Sequence, residues 1–257
     1  MPLSHARPAD GIAWVTGASS GIGRETALRL AARGWTVAVS ARSADALTSL
    51  AAASPGRIHA IPLDVTDHAA AAAAVARIEA EVGPIALALL NAGIYLPVRG
   101  ESLAVEDFDR SIDVNLKGTV YTLLPVIEAM KRRGRGQIAV VSSVAGYGGL
   151  PTSAAYGATK AALFNLMASL KFDLDRLGIL TQVVSPGFVD TPATASNPFP
   201  MPFLMTVENA ADRLVAGLET GGYEITFPRR FTWGLKAINL LPYAAYFPLV
   251  RRFTGWK

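Results

Sequence analysis

The stretch Thr16-Gly17-Ala18-Ser19-Ser20-Gly21-Ile22-Gly23 decides the fold. It follows a short apolar run, Ile12 to Val15, and opens a helical pattern from about Ile22 to Arg33, with Gly34 as its stop. A glycine-rich turn between strand and helix lets a pyrophosphate approach the backbone closely. Free N–H groups at the helix start favour its charge. The spacing Gly-x-x-x-Gly-x-Gly departs from the common dinucleotide fingerprint, and a turn serving only chain reversal is the bland alternative. The strand-before, helix-after setting favours the nucleotide.

Working outward, apolar runs alternate with helical patterns. Strands are expected at Val37 to Ser40, Arg57 to Pro62, Ile85 to Leu90, Gln137 to Ser142 and Leu180 to Val184. Helices are expected at Ala44 to Ala53, Asp67 to Val82, about Asp109 to Arg133 and about Ser153 to Leu177. Asp67 reads as an N-cap and Gly83-Pro84 as a terminator. This β-α alternation predicts an α/β fold, a doubly wound parallel sheet flanked by helices, in a single domain. Pro186 to Met205 is proline-rich with little charge, as lids and binding segments are. Residues 1–226 read as the main body and 227–257 as an aromatic, basic C-terminal extension interrupted by Pro228, Pro242 and Pro248.

Hydrophobic residues make up 51% of the chain and charged residues 17%, enough apolar material for a large core. With no cysteine there is no disulfide, thiolate metal site or cysteine nucleophile, which fits a reducing, cytoplasmic setting. The first ten residues do not read as a secretory signal, and no run offers the ~20 apolar residues of a spanning helix. His5, His59 and His68 lack ligand spacing and read as surface residues, so no metal is expected. From Tyr223 onward six basic residues stand against Glu224, a net of +5, which leaves the first 222 residues at −1. A near-neutral body with a basic tail is not a nucleic-acid binder.

Sites that take NAD place an acid at the end of the second strand. Here that region reads Val39-Ser40-Ala41-Arg42. A guanidinium suits a 2′-phosphate, so NADP(H) is the preferred cofactor, with NAD(H) left open. Tyr156 and Lys160 share one helix face, four residues apart. The ammonium is expected to pull the phenol below its ordinary pKa of ~10 towards the range useful for proton transfer. Ser143, at the carboxyl end of the fifth strand, is placed to stabilise a developing alkoxide. A Tyr-x-x-x-Lys pair alone is common on surfaces.

The glycine turn, Asn91-Ala92-Gly93, Asn115, Ser143, Tyr156, Lys160 and Pro186-Gly187 occur in that order. Together, over about residues 11 to 226, they resemble the short-chain dehydrogenase/reductase family. The resemblance implies a Rossmann-like core, an NAD(P) cofactor and an Asn115–Ser143–Tyr156–Lys160 tetrad, with Lys160 bonding the nicotinamide ribose and Asn115 holding a relay water. It also implies cofactor contacts from Gly17, Ser19, Ser20, Gly21, Ile22, Gly23, Arg42, Asp64, Val65, Asn91, Ala92, Gly93, Tyr156, Lys160, Pro186, Gly187, Val189 and Thr191. Ser142 competes with Ser143, but the thirteen-residue spacing to Tyr156 favours Ser143. Leu90 departs from the asparagine that members often carry there. Homodimers or homotetramers through the helices bearing Asn115 and Tyr156 are implied in the same way.

The implied reaction interconverts a carbonyl and an alcohol. Ile94, Tyr95, Ala145, Tyr147, Leu150 and Phe188 are the substrate-side candidates. Nearly all are apolar, and no arginine or lysine lies between Phe188 and Met205, so a lipophilic small molecule fits better than a sugar phosphate. The extension suits a peripheral membrane contact, a subunit contact or its own body, and all three stay open. The competing reading is a catalytically silent nucleotide sensor or scaffold on the same fold; a lyase or epimerase is a third.

Overall fold

Along Ile12–Thr16 (β1) side chains alternate between two apolar layers: Ala13 and Val15 enter one, Ile12 and Trp14 the other. The same holds in Ile85–Leu90 (β4, named in chain order after the strands below), where Leu87 and Leu89 oppose Ala88 and Leu90. Strands covered on both faces are apolar along their length, which is why the polar residue in these runs is confined to the end of β1, at Thr16. The computed structural model describes residues 3–195, 197 and 200–256.

Between β1 and β4 lie helix α1 (Gly21–Ala32), strand β2 (Val37–Ser40), helix α2 (Ala44–Ala52), strand β3 (Ile58–Ala60) and helix α3 (His68–Glu81). After β4 come α4 (Val105–Ser111), a π-helical turn (Ile112–Lys117) and α5 (Gly118–Arg133), one helix broken in register rather than in direction. Then follow β5 (Gly136–Val141), α6 (Ala154–Arg176), β6 (Ile179–Pro186), α7 (Val207–Thr220), β7 (Glu224–Phe227), α8 (Arg229–Asn239) and α9 (Tyr243–Thr254). Among the described residues the sheet has seven strands, all parallel, in the order β3-β2-β1-β4-β5-β6-β7. Leu30, Leu47, Leu50, Leu214 and Leu218 from α1, α2 and α7 cover one face. Ile78, Leu123, Val126, Leu163 and Met167 from α3, α5 and α6 cover the other. The strand order reverses between β1 and β4, and a cleft opens there at the carboxyl ends of the strands, as this topology requires.

The Asp67 carboxylate does cap α3, accepting from Ala70 N at 2.9 Å. Six strands are expected from the sequence and seven are present; β7 and the amphipathic α7 are the additions. The division at 226/227 cuts β7, because Phe227 is 1% exposed and pairs with Pro186. The extension folds back on the body: Tyr246 donates to Gly149 O at 2.7 Å, Phe231 packs on Phe188 with centroids 5.5 Å apart, and Arg99 lies over Trp256. No helix among the described residues is long and apolar enough to cross a membrane.

Candidate active site

Gly17 has φ +66° and Gly21 +55°, values that side chains strain to adopt. Between them the chain turns so that Gly17 and Ser19 to Ile22 border the cleft at the start of α1. The turn is held from below by β4. Asn91 Nδ2 donates to Thr16 O (3.1 Å) and Gly17 O (3.2 Å), while Asn91 N and Ala92 N both donate to Thr16 Oγ1. Gly23 does not line the cleft. A Cβ there would stand 2.4 Å from Gly17 O and 2.5 Å from Asn91 Nδ2, so its glycine permits this packing and does not itself face a ligand. The departure at Leu90 is a buried core side chain, 2% exposed.

At the second strand's end, Ser40 is fully buried and its hydroxyl accepts from Trp14 Nε1 at 2.9 Å. What borders the cleft is Ala41, Arg42 and Ser43, with no carboxylate. Asp64 lies across from Arg42; its pKa is lowered by the Thr66 backbone N–H, which outweighs desolvation, with the Thr66 hydroxyl and the Arg42 charge adding to it. Val65, Ala92, Gly93, Pro186, Gly187, Val189 and Thr191 complete this wall.

At the chemical end, Ser143, Tyr156 and Lys160 border the same cleft of ≈ 1180 Å³. Ser143 follows β5 and caps a short 3-10 turn, its Oγ accepting from Ala145 N at 3.2 Å. Ser142, which borders the cleft as well, is 2% exposed and donates its hydroxyl to Lys160 O at 2.8 Å, tying β5 to α6. Lys160 is 3% exposed; its ammonium donates to Val141 O at 2.8 Å and stands 5.6 Å from the Tyr156 ring centroid. Burial lowers its pKa to about 8. The spacing predicts that this ammonium lowers the Tyr156 pKa, and the structure gives the reverse. Desolvation raises it, the hydrogen bond with the Ser143 side chain acts in the opposite direction, and Tyr95 adds a small raising contribution.

Asn115 sits in the π-helical turn, fully buried, and does not border the cleft. Its amide donates to Ile94 O (3.0 Å) and Thr159 Oγ1 (3.2 Å), and its Oδ1 accepts from Ile94 N (2.8 Å). It therefore clamps the loop after β4 to α6 at Thr159, the residue before Lys160. A Cβ on Gly93 would fall 3.2 Å from Asn115 Oδ1 and 3.4 Å from Lys160 Nζ, so the backbone passes close over both.

Of the residues expected on the substrate side, Ile94, Tyr95, Ala145, Leu150 and Phe188 border the cleft. Tyr95 meets Tyr156 edge to face at 5.1 Å, and its hydroxyl pairs with Thr152 Oγ1 at 2.7 Å. Tyr147 does not belong to this wall. Its ring packs on Phe164, and its hydroxyl donates to Glu224, a carboxylate that also accepts from Ser185 and Lys236. Burial and the Glu224 charge raise the Tyr147 pKa; on Glu224, burial pushes upward but the three donors prevail and lower it. A buried carboxylate attracts the donor more strongly than an apolar cleft does. Residues that sequence reasoning missed are Thr159 and Thr152, and it gave no role to Thr16 at the head of the glycine turn; all three position others. Thr152 has φ +59°, a strained value for a β-branched residue, and its carbonyl holds Val98 N. No short motif marks them; their partners lie 44 to 76 residues away.

These residues fit a nicotinamide dinucleotide. The start of α1 offers N–H groups to phosphates, and the Lys160 ammonium, which borders the cleft, has three donors with Val141 O accepting one. A family model described as short chain dehydrogenase matches residues 11–199. An uncharacterised oxidoreductase of Myxococcus xanthus (strain DK1622) is 37% identical over 243 residues, 93% of this chain and 96% of that protein. Two solved structures are similar. A 3-ketoacyl-(acyl-carrier-protein) reductase from Brucella melitensis complexed with NADH has TM-score 0.77 and 26% identity, covering 85% of this chain and 97% of that one. A serine dehydrogenase complexed with NADP+ has TM-score 0.75 and 25% identity, covering 84% and 94%. The chain belongs to the short-chain dehydrogenase/reductase family, oxidoreductases that act on CH–OH groups with NAD(P).

Proposed function

We propose that the protein interconverts a carbonyl and an alcohol on a lipophilic small molecule with NADP(H), Tyr156 being the proton donor. The observation that carries this is the buried Lys160 ammonium beside the Tyr156 ring, with Ser143 at the same cleft wall. NADPH, when bound, supplies the hydride. A phenol whose pKa is raised by burial stays protonated at neutral pH, so Tyr156 holds the proton that the carbonyl oxygen receives. Ser143 donates to that oxygen and stabilises its developing charge. Lys160, with its pKa near 8, exchanges a proton at little cost around neutrality and restores the one Tyr156 gives up. Asn115 positions the Ile94 loop and Thr159; a relay water there is part of the same proposal.

Arg42, with no acid beside it at the end of β2, supports NADP over NAD. Apolar Ile94, Leu150 and Phe188 support a lipophilic substrate. Exposed Leu124 on α5 and Phe172 on α6 support pairing of subunits through those helices. The test follows NADPH and NADH absorbance against a panel of hydrophobic ketones and aldehydes. Turnover with NADPH preferred is expected. Tight NADPH binding with no turnover would favour the sensor reading, and a preference for NADH would reject the assignment to Arg42.

A further inference from the structure

We infer that the outer face of α8 and α9 is a docking surface for an anionic lipid bilayer. The inner face of these helices is accounted for: Phe231, Thr232, Tyr246 and Val250 pack on the body. Among the described residues the ring contacts of the outer face stay within their own helices: Lys236 lies over Trp233, and Tyr243 meets Tyr246 and Phe247. Trp233 is 63% exposed, Leu240 87%, Tyr243 76% and Phe247 54%, on two consecutive amphipathic helices. Indole and phenol rings with a few leucines are the side chains that settle at a membrane interface, apolar body inward and polar edge in water.

The charge has the matching sign. Arg229, Arg230, Arg251 and Arg252 are exposed, and among the described residues none of them makes an ion pair. Lys236, which turns inward, is neutralised by Glu224. The tail's positive charge is therefore carried outward on a protein whose remaining 222 residues sum to −1. A second copy is the poorer occupant. A two-fold contact would bring the same patch against itself and set these arginines against one another. A sheet of lipid phosphates complements both the aromatic stripe and the guanidinium groups.

The helix that carries this surface also backs the cleft, since its inward-facing Phe231 lies 5.5 Å from Phe188, which borders the cleft, and 5.9 Å from Phe203, ring to ring. Docking thus places the cleft wall one helix away from the bilayer. That a lipophilic substrate profits from this rests on the function proposed above; the docking itself does not.

The test uses the full chain with vesicles of phosphatidylcholine, with and without phosphatidylglycerol, and no substrate. Cosedimentation is expected with the anionic vesicles alone and is expected to fall as salt rises. Trp14 and Trp35 are buried, at 0% and 3%, and Trp256 lies half-buried against Arg99, so in a Trp256→Phe background the accompanying blue shift of fluorescence should be lost on adding Trp233→Phe. Each basic residue near an anionic surface is worth roughly fivefold in partition, so R229E/R230E/R251E/R252E should weaken binding on the order of several hundredfold. These positions are exposed, and the circular dichroism of the variant should match the parent protein. No partition onto either vesicle, or equal partition onto both, overturns the inference. So does a concentration-dependent dimer that Trp233→Glu dissociates, which would give the surface to a second copy.

Discussion

At one end of the cleft Gly17, Ser19 to Ile22 and the strand ends beside them present backbone; at the other, Ile94, Tyr95, Leu150 and Phe188 present side chains. The end at the glycine turn is assembled from β1 and β4, neighbours in the sheet, and the start of α1, and its hydrogen bonds run from Asn91 to Thr16 and Gly17. The substrate end draws on the loop after β4, the loop after β5, the segment after β6 and, behind Phe188, helix α8. A backbone-built site tolerates few residue types, because each added Cβ occupies space or forbids a φ value. A side-chain wall tolerates many. The first end is therefore fixed by local sequence and the second by the whole fold. Tyr156 and Lys160 stand where the two meet.

The largest effect is expected at that junction. Tyr156→Phe removes the proton but keeps the ring that packs against Tyr95, so turnover should fall by roughly 10³-fold. NADPH affinity, measured by titration calorimetry, should stay within about twofold, since the nucleotide end is untouched. Near-normal turnover in this variant would remove Tyr156 from the mechanism.

That division explains what could be read from the sequence. The glycine turn, Asn91, Ser143, Tyr156 and Lys160 are legible because fixed residue types at fixed spacings are the only way to make them, and Asp67 is legible because a cap is local. Residues Ala210, Ala211, Leu214, Val215 and Leu218 carry a clear helical period for α7, but they follow the proline-rich segment 186–205, which dominates the pattern there. β7 is four residues long, so its alternation of buried Ile225 and Phe227 with Glu224 and Thr226 is too short to stand out in the sequence. Tyr147 sits next to the catalytic loop in sequence, and nothing local says that its hydroxyl points to Glu224, 77 residues on. The direction of the Tyr156 pKa is set by burial, a property of the assembled core.

Lys160 shows the same burial from the other side. Its pKa is about 8 in the folded chain against the ordinary 10.5, so between those values the unfolded chain binds more protons than the native one. Stability should therefore rise with pH across that window. Below pH 8 the buried charge costs on the order of 3 kcal/mol, which is recovered by pH 10.5. Urea unfolding at a series of pH values should show this rise in the parent protein without cofactor and a flatter profile in Lys160→Met. Parallel profiles would mean that the ammonium is not desolvated.

Gly23→Ala attacks the nucleotide end alone. The new methyl would lie 2.4 Å from Gly17 O and 2.5 Å from Asn91 Nδ2, and backbone on one side cannot move without opening the turn. Overpacking of this kind costs about 2 kcal/mol, and NADPH affinity should fall with stability. Leu150→Ala, at the other end, should leave NADPH affinity unchanged and raise KM for the carbonyl substrate. Equal losses of cofactor affinity in the two variants would erase the distinction between the ends.

Tyr147→Phe gives the smallest expected effect and the finest test, because it asks which side of the wall this side chain serves. In the structure its hydroxyl donates to Glu224, which keeps Ser185 and Lys236 as partners when that bond is lost. Loss of one hydrogen bond to a partly compensated carboxylate costs roughly 1.5 kcal/mol, read as a lower urea midpoint with an unchanged slope. The Lys236–Glu224 link joins α8 to β7, and Tyr147 extends it to the loop that bears Ser143. A loosened loop should therefore raise KM a few-fold for small and large ketones alike, because the hydroxyl acts through its neighbours. If Tyr147 instead faced the substrate, stability would hold and KM would change with the size of the ketone.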